Sequence, residues 1–440
     1  MSLFKRYSFI MLILFSPITW ASNIDCIHIH QKAEQQVIFA EQGQYRFAND
    51  IAVPPFNYTS QNAYSDYLNY AKARIAKRNP QADFKCPIKT DISAILSADE
   101  TGLTVKDLVA PFELKQNNQD KVVLLIHGLT DSPYHFHDLA GHFYQQGFNV
   151  RTLLLPGHGT AASDLIELDK AEWQQATTFA IESSLSDYQQ VYLGGFSTGG
   201  ALILDYLMAR EQVSEQIKGI LLWSPASKAK SDLAWAAQYV SWLSTWIDQS
   251  ADTDFAKYES FPYNAAAQVH ALMNRVNGQA GNQRYFHNVP MLTFAAQNDS
   301  TISTSATITL INEWYRANPH SATELVYYGD ELEPALLKGI KLQQIPANKS
   351  CQSEDKCVLD IAHTALINAP TNEHYGVVGY YRNCGHYPID SQAFSDCKSA
   401  QYTVKGELTE DTKQHYPVFS RLTYNPHYSA MLEQINQFIN

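Results

Sequence analysis

The chain has 440 residues, 45% hydrophobic and 17% charged, with 44 acidic against 32 basic side chains and a formal net charge of -12. That length fits one large domain with additions, and the composition is that of an ordinary globular protein. The acidic balance, with no basic run, argues against a nucleic-acid partner and against docking on anionic membranes.

At the N-terminus, Lys5 and Arg6 precede the apolar run Phe9-Ile10-Met11-Leu12-Ile13-Leu14-Phe15, and Thr19-Trp20-Ala21 forms a small-residue exit. Residues 1–21 therefore read as a secretory signal peptide cleaved after Ala21, since a bilayer span needs about 20 apolar helical residues. A retained anchor is the alternative, and no lipobox precedes Cys26. The expected protein is exported, periplasmic or secreted, with no stable membrane span after cleavage. Residues 22–110 read as an extension packed on the core. Within it His28 and His30 alternate with Ile27 and Ile29 and would share one strand face, better read as a polar outer face than as a metal pair. Residues 61–78 carry Tyr, Ala and Leu at helical spacing and predict a packing helix without chemistry.

From there strands are expected at 121–126, 149–155, 190–194, 219–223, 290–296 and 324–328. The clearest helices are expected at 133–146, 199–211 and 426–440. Such alternation implies an α/β fold with a mostly parallel sheet flanked by helices, ligands binding at the carboxyl ends of the strands. The core is expected to comprise 111–223 and 289–440. Between them, over 224–288, the alternation breaks and aromatic residues crowd in: Trp235, Tyr239, Trp242, Trp246, Phe255, Tyr258, Phe261 and Tyr263. Most of these rings must bury one another, and a minority would line a pocket.

The most informative stretch is Gly194-Gly195-Phe196-Ser197-Thr198-Gly199-Gly200. It fits G-x-S-x-G, in which a sharp strand-to-helix turn leaves no room for side chains at Gly195 and Gly199 and lifts the Ser197 hydroxyl above the sheet. The strand at 121–126 runs into His127-Gly128-Leu129-Thr130, where an oxyanion loop would supply the Leu129 N–H beside that of Thr198. His127 is expected to hydrogen-bond structurally. In the order Ser, acid, His, Asp299 closes an apolar strand, with Asp330 as competitor. Among the histidines that follow Asp299 are His363, His374, His386, His415 and His427; position favours His363, with His386 as runner-up.

These residues, with Leu155-Pro156-Gly157-His158-Gly159-Thr160, resemble the cap-bearing carboxylesterases and monoacylglycerol lipases of the α/β-hydrolase superfamily, often grouped with serine aminopeptidase-like hydrolases. The resemblance covers about Pro111 to Asn440. It implies an α/β-hydrolase fold with a helical cap over 224–288, Ser197 as nucleophile, Asp299 as orienting acid and His363 as base. The Leu129 and Thr198 amides would form the oxyanion hole. It further implies an acyl-ester or lipid-like small substrate and neither metal nor organic cofactor. A peptidase or amidase would use the same triad, and a hydrolase-like binding protein would keep the fold alone. The stretch around His363 departs from compact members through its length.

Six cysteines in an exported chain make an even set. Neighbour pairing gives Cys26 with Cys86, Cys351 with Cys357 and Cys384 with Cys397, the last two stiffening the insertions around His363.

Overall fold

A central sheet carries β1 (Glu113–Leu114), β2 (Lys121–Ile126), β3 (Asn149–Leu153), β4 (Gln190–Phe196), β5 (Ile217–Trp223), β6 (Met291–Ala296), β7 (Thr323–Tyr328) and β8 (Lys341–Ile345). Their order is β8-β7-β6-β5-β4-β2-β3-β1, and all neighbours pair parallel except the antiparallel β1. The computed structural model describes residues 25–27, 51–96, 102–231, 244–248, 254–332, 337, 339–346, 350–353, 356–388, 391–399 and 404–440. The leader read at 1–21 and the pair His28 and His30 lie outside them.

The inner strands are continuously apolar because both sheet faces are covered. In β2, Val122, Leu124 and Ile126 enter one core layer while Val123 and Leu125 enter the other, the period of two expected of a strand. Helices α3 (Lys170–Asp187), α4 (Thr198–Met208) and α6 (Thr304–Ala317) share the first layer. Helices α2 (His137–Gln145) and α7 (Tyr428–Ile439) fill the second, through residues such as Leu139, Phe143, Met431 and Ile435. All six expected strands form. The sheet continues one strand further at each edge than the sequence pattern predicts: β1 is only two residues long, and β8, Lys-Leu-Gln-Gln-Ile, is too polar to read as a core strand, yet it pairs with β7 at an edge that buries little of it.

The extension is stitched to this core. Helix α1 (Tyr64–Arg78) sends the Tyr64 hydroxyl to the Thr152 carbonyl (2.8 Å) and the Tyr67 hydroxyl to the Leu154 carbonyl (2.9 Å). Arg74 and Arg78 both reach Asp164. Cys26 and Cys86 form a disulfide.

Between β5 and β6 the described chain forms a two-stranded ribbon, Trp246–Asp248 with Phe261–Pro262, and then α5 (Tyr263–Val276). Helix α5 packs on α4 and α3, with Arg275 bridging to Asp205 on α4 at 2.7 Å. Phe255 and Tyr258 are buried, whereas Trp235, Tyr239 and Trp242 lie outside the described residues.

Beyond β8, in the long stretch around His363, a small second sheet appears that the sequence did not indicate. It contains β9 (Ser350–Ser353), β10 (Lys356–Val358), β11 (Lys405–Gly406) and β12 (Ser420–Arg421), in that order. Cys351 stands opposite Cys357 in the register of β9 and β10, and Cys357 is disulfide-bonded. Cys384 and Cys397 form a further disulfide, and no cysteine among the described residues is free.

Candidate active site

Strand β4 hands over to α4 through Ser197, whose backbone sits at φ 51 and ψ -113. A non-glycine residue in that region costs of order 1–3 kcal/mol and persists only where its surroundings enforce it. Here they do. A Cβ on Gly195 would stand 2.5 Å from the Gly200 nitrogen, and one on Gly199 would stand 2.0 Å from the Ile126 carbonyl oxygen. The two glycines let β2, β4 and α4 close around the turn.

Three side chains from separate loops meet there. His363 Nε2 lies 3.1 Å from Ser197 Oγ, and His363 Nδ1 lies 2.7 Å from Asp299 Oδ2. Asp299, at the end of β6, also accepts the Thr301 and Ile302 N–H groups on Oδ1, at 2.8 Å each, and the Ser224 hydroxyl on Oδ2. Burial works against its charge, but His363, Ser224 and the Ile302 amide outweigh it and hold the carboxyl below its ordinary range. Asp330 instead lies exposed at the turn after β7, its N–H donating to Gln297. His386 packs between Tyr387 and Phe419, with ring centroids at 4.0 and 4.6 Å, and burial pushes it down to about 4.

The Leu129 and Thr198 N–H groups beside Ser197 donate to no other group among the described residues. Two buried histidines hold the loop that carries Leu129. His127 Nε2 accepts the Leu155 N–H (3.0 Å) while Nδ1 donates to the Gly128 carbonyl (2.7 Å). His158 Nε2 accepts the Thr130 N–H (3.0 Å) while Nδ1 donates to the Pro156 carbonyl (3.0 Å). Both arrangements need the neutral Nδ1–H tautomer, and burial, the leading influence on each, drives both pKa values down, that of His158 to about 4. Thr130 itself adopts φ 68. His158 thus shares the structural role expected of His127, a role the sequence did not assign.

A cavity of about 380 Å³ opens over Ser197 and His363. Leu129, Phe196, Tyr258 and Phe261 give it an apolar side, while Asp131, Lys257, Glu259, Tyr381 and Arg421 are polar. Segment 254–262 roofs it, fastened to the loop below by the Tyr258 N–H, which donates to the Thr130 carbonyl at 2.8 Å. Among the described residues, no group of three or more His, Cys, Asp or Glu side chains is placed to hold a metal ion.

Behind the base lies a network that the sequence did not announce. Glu407, fully buried just after β11, accepts the His363 N–H on Oε2 at 2.9 Å. Arg421 on β12 grips it twice, from Nε to Oε1 at 2.5 Å and from Nη2 to Oε2 at 2.9 Å. Burial opposes the Glu407 charge, yet Arg421 and the His363 amide hold its carboxyl below the ordinary range. No local motif marks Glu407, Arg421 or Ser224, because each acquires its partner only through the tertiary fold.

Residues 117–254 match a protein family described as serine aminopeptidase, S33. The chain is similar to a carboxylesterase of Bacillus subtilis (strain 168), 24% identical over 232 residues, which cover 48% of this chain and 89% of that one. Among solved structures, one from work on the metagenome-derived lipolytic enzymes LipS and LipT is 20% identical, covering 51% of this chain and 87% of that one, with a TM-score of 0.42. A soluble variant of monoglyceride lipase from Saccharomyces cerevisiae is 17% identical, covering 53% of this chain and 81% of that one, with a TM-score of 0.39. With its mostly parallel sheet, its serine at the β4–α4 turn and this match over residues 117–254, the chain has an α/β-hydrolase fold.

Proposed function

We propose that the protein is a serine hydrolase that cleaves acyl esters through an acyl-enzyme intermediate, in the manner of a carboxylesterase or lipase. The observation that carries this reading is the unbroken hydrogen-bond chain from Ser197 Oγ through His363 to Asp299. His363 takes the Ser197 proton as Oγ bonds to the ester carbonyl carbon. The Leu129 and Thr198 N–H groups receive the developing oxyanion, each contact of this kind being worth about 3–4 kcal/mol in serine hydrolases. Collapse breaks the carbon–oxygen bond to the alcohol, which leaves with the proton from His363. Water, deprotonated by the same imidazole, then attacks the acyl carbon and releases Ser197. Asp299 stays ionised, fixes the tautomer and stabilises the imidazolium.

In this reading residues 224–288 act as the cap, with 254–262 shaping the pocket over the nucleophile, and residues 22–110 act as a packed extension. Export is supported by the Cys26–Cys86 and Cys384–Cys397 disulfides, which persist in oxidising compartments. No helix among the described residues is long and apolar enough to cross a membrane.

Hydrolysis of p-nitrophenyl esters from acetate to palmitate, beside fluorophosphonate labelling, tests the proposal. Wild type is expected to turn over and label, and Ser197→Ala to lose both, with turnover about a million-fold lower. Wild-type rates in Ser197→Ala would sink it. A second reading is a peptidase or amidase with the same triad, cleaving amides whose free amine would sit against Asp131 and Glu259 in a cavity wall that also carries Lys257 and Arg421. Labelling without ester turnover, together with cleavage of amino-acyl amides, selects that reading.

A further inference from the structure

The loops bearing the acid and the base share no strand or helix, yet imidazole and carboxylate must stay in register for the chain of hydrogen bonds to hold. Glu407 touches both loops. Its Oε2 accepts the His363 N–H at 2.9 Å and the Ser300 N–H, next to Asp299, at 3.4 Å. Its own N–H donates to Asp360 Oδ1 at 2.5 Å, three residues before the base, while Asp360 Oδ2 accepts from Asn298 Nδ2 at 3.2 Å, one residue before the acid. Arg421 closes the circuit, donating from Nη2 to Thr301 Oγ1 at 2.8 Å and to Ser300 Oγ at 3.3 Å.

Both loops are therefore fastened to one ionised, fully buried carboxylate that reaches the site from the small second sheet. A plain structural ion pair would not need its free lone pairs aimed at the backbone beside the two triad members. We infer that Glu407, held by Arg421, is a positioning residue that fixes the spacing between His363 and Asp299, and that the inserted sheet β9–β12 exists in part to deliver it. The inference rests on the triad reading of Ser197, His363 and Asp299. It assigns Glu407 no contact with substrate.

A misplacement of about 1 Å in a catalytic group costs on the order of a hundredfold in rate. Glu407→Gln keeps the shape but removes the charge that Arg421 grips. It is expected to lower kcat about 10- to 100-fold with KM changed less than about threefold, in protein whose thermal midpoint lies well above the assay temperature. The second readout needs no turnover: the downfield proton resonance of His363 Nδ1–H, hydrogen-bonded to Asp299 and identified by its loss in His363→Gln, is expected to broaden or vanish in Glu407→Gln. If Glu407→Gln fails to fold, Arg421→Lys, which keeps the charge and loses the fork, is read the same way and is expected to give a smaller drop in kcat. Unchanged kcat with a sharp resonance would overturn the inference. Turnover independent of Ser197 would instead overturn the triad reading, and the proton resonance would still decide the role of Glu407.

Discussion

At the scale of single residues, the tightest constraint is the absence of a side chain at Gly199. Its missing Cβ faces the Ile126 carbonyl, a backbone atom that cannot swing aside as a flexible side chain can. Gly199→Ala must therefore push α4 away from β2 and carry the N-terminus of α4, with the Thr198 amide, off the position proposed for the oxyanion. We expect ester turnover to fall by at least about tenfold and stability by about 1–3 kcal/mol, the cost of overpacking. Steady-state kinetics and urea unfolding read both, and a fully active, equally stable Gly199→Ala would refute the steric account. Gly195, Ser197 and Gly199 were legible in the sequence because a steric rule acts over five consecutive residues. So was Asp299, since the end of an apolar strand is a local signal. His363 was separable from five other downstream histidines only by position. Glu407, Arg421 and Ser224 were not legible, because a buried charge looks like any surface charge until its partner arrives from elsewhere in the chain.

Among elements, the segment over the cavity is secured from behind by a second buried carboxylate. Asp254, fully buried, accepts His374 Nε2 on Oδ1 at 2.9 Å and the Tyr375 hydroxyl on Oδ2 at 2.7 Å. Burial alone would raise its pKa, but His374, Lys257 and Tyr375 hold the carboxyl far below the ordinary range. Glu259, five residues on, accepts the Tyr381 hydroxyl at 2.8 Å. Segments 254–259 and 374–381 thus act as one clamp. Removing the Asp254 carboxylate strands the buried His374 and Tyr375 groups that bond to it, at about 1–3 kcal/mol each, so Asp254→Ala should lower stability by more than Tyr375→Phe, which should cost about 1–3 kcal/mol. Chemical denaturation compares the two, and equal, negligible losses would show the clamp to be idle. Element legibility followed the same logic as residue legibility. Strands buried on both faces, such as β2 and β4, announce themselves by composition. The edge strand β8 and the two-residue strands β11 and β12 do not, because one face is polar or the element is shorter than any periodicity.

For the molecule as a whole, buried neutral histidines set the response to acid. Burial pushes His127 well below its ordinary value, His137 to about 3 and His158 to about 4. The unfolded chain binds protons on these rings near pH 6.5 while the folded one does not, so each ring costs stability as pH falls from about 6.5 toward its folded value. For His158 that is about 3 kcal/mol at about 1.4 kcal/mol per unit. Asp138 acts in the opposite direction, since burial raises it to about 6 against the hydrogen bonds from Ala369 and Asn372, and it relaxes by about 3 kcal/mol as it protonates. Three rings outweigh one carboxyl, and stability is expected to decline steadily below pH 6.5. Unfolding midpoints measured from pH 7.5 to 4.5 check this, and a maximum below pH 5.5 would contradict it.

The anchors of the His363 loop lie far downstream: Glu407 accepts the His363 N–H, Thr364 Oγ1 donates to the Leu422 carbonyl, and Asn368 donates to that of Thr423. During synthesis Ser197 and Asp299, the proposed nucleophile and acid, therefore emerge long before His363 can be seated. On the proposed triad, a nascent chain that has not yet extended past residue 423 has no seated base to take the Ser197 proton during attack, so hydrolytic competence would arrive late in translation.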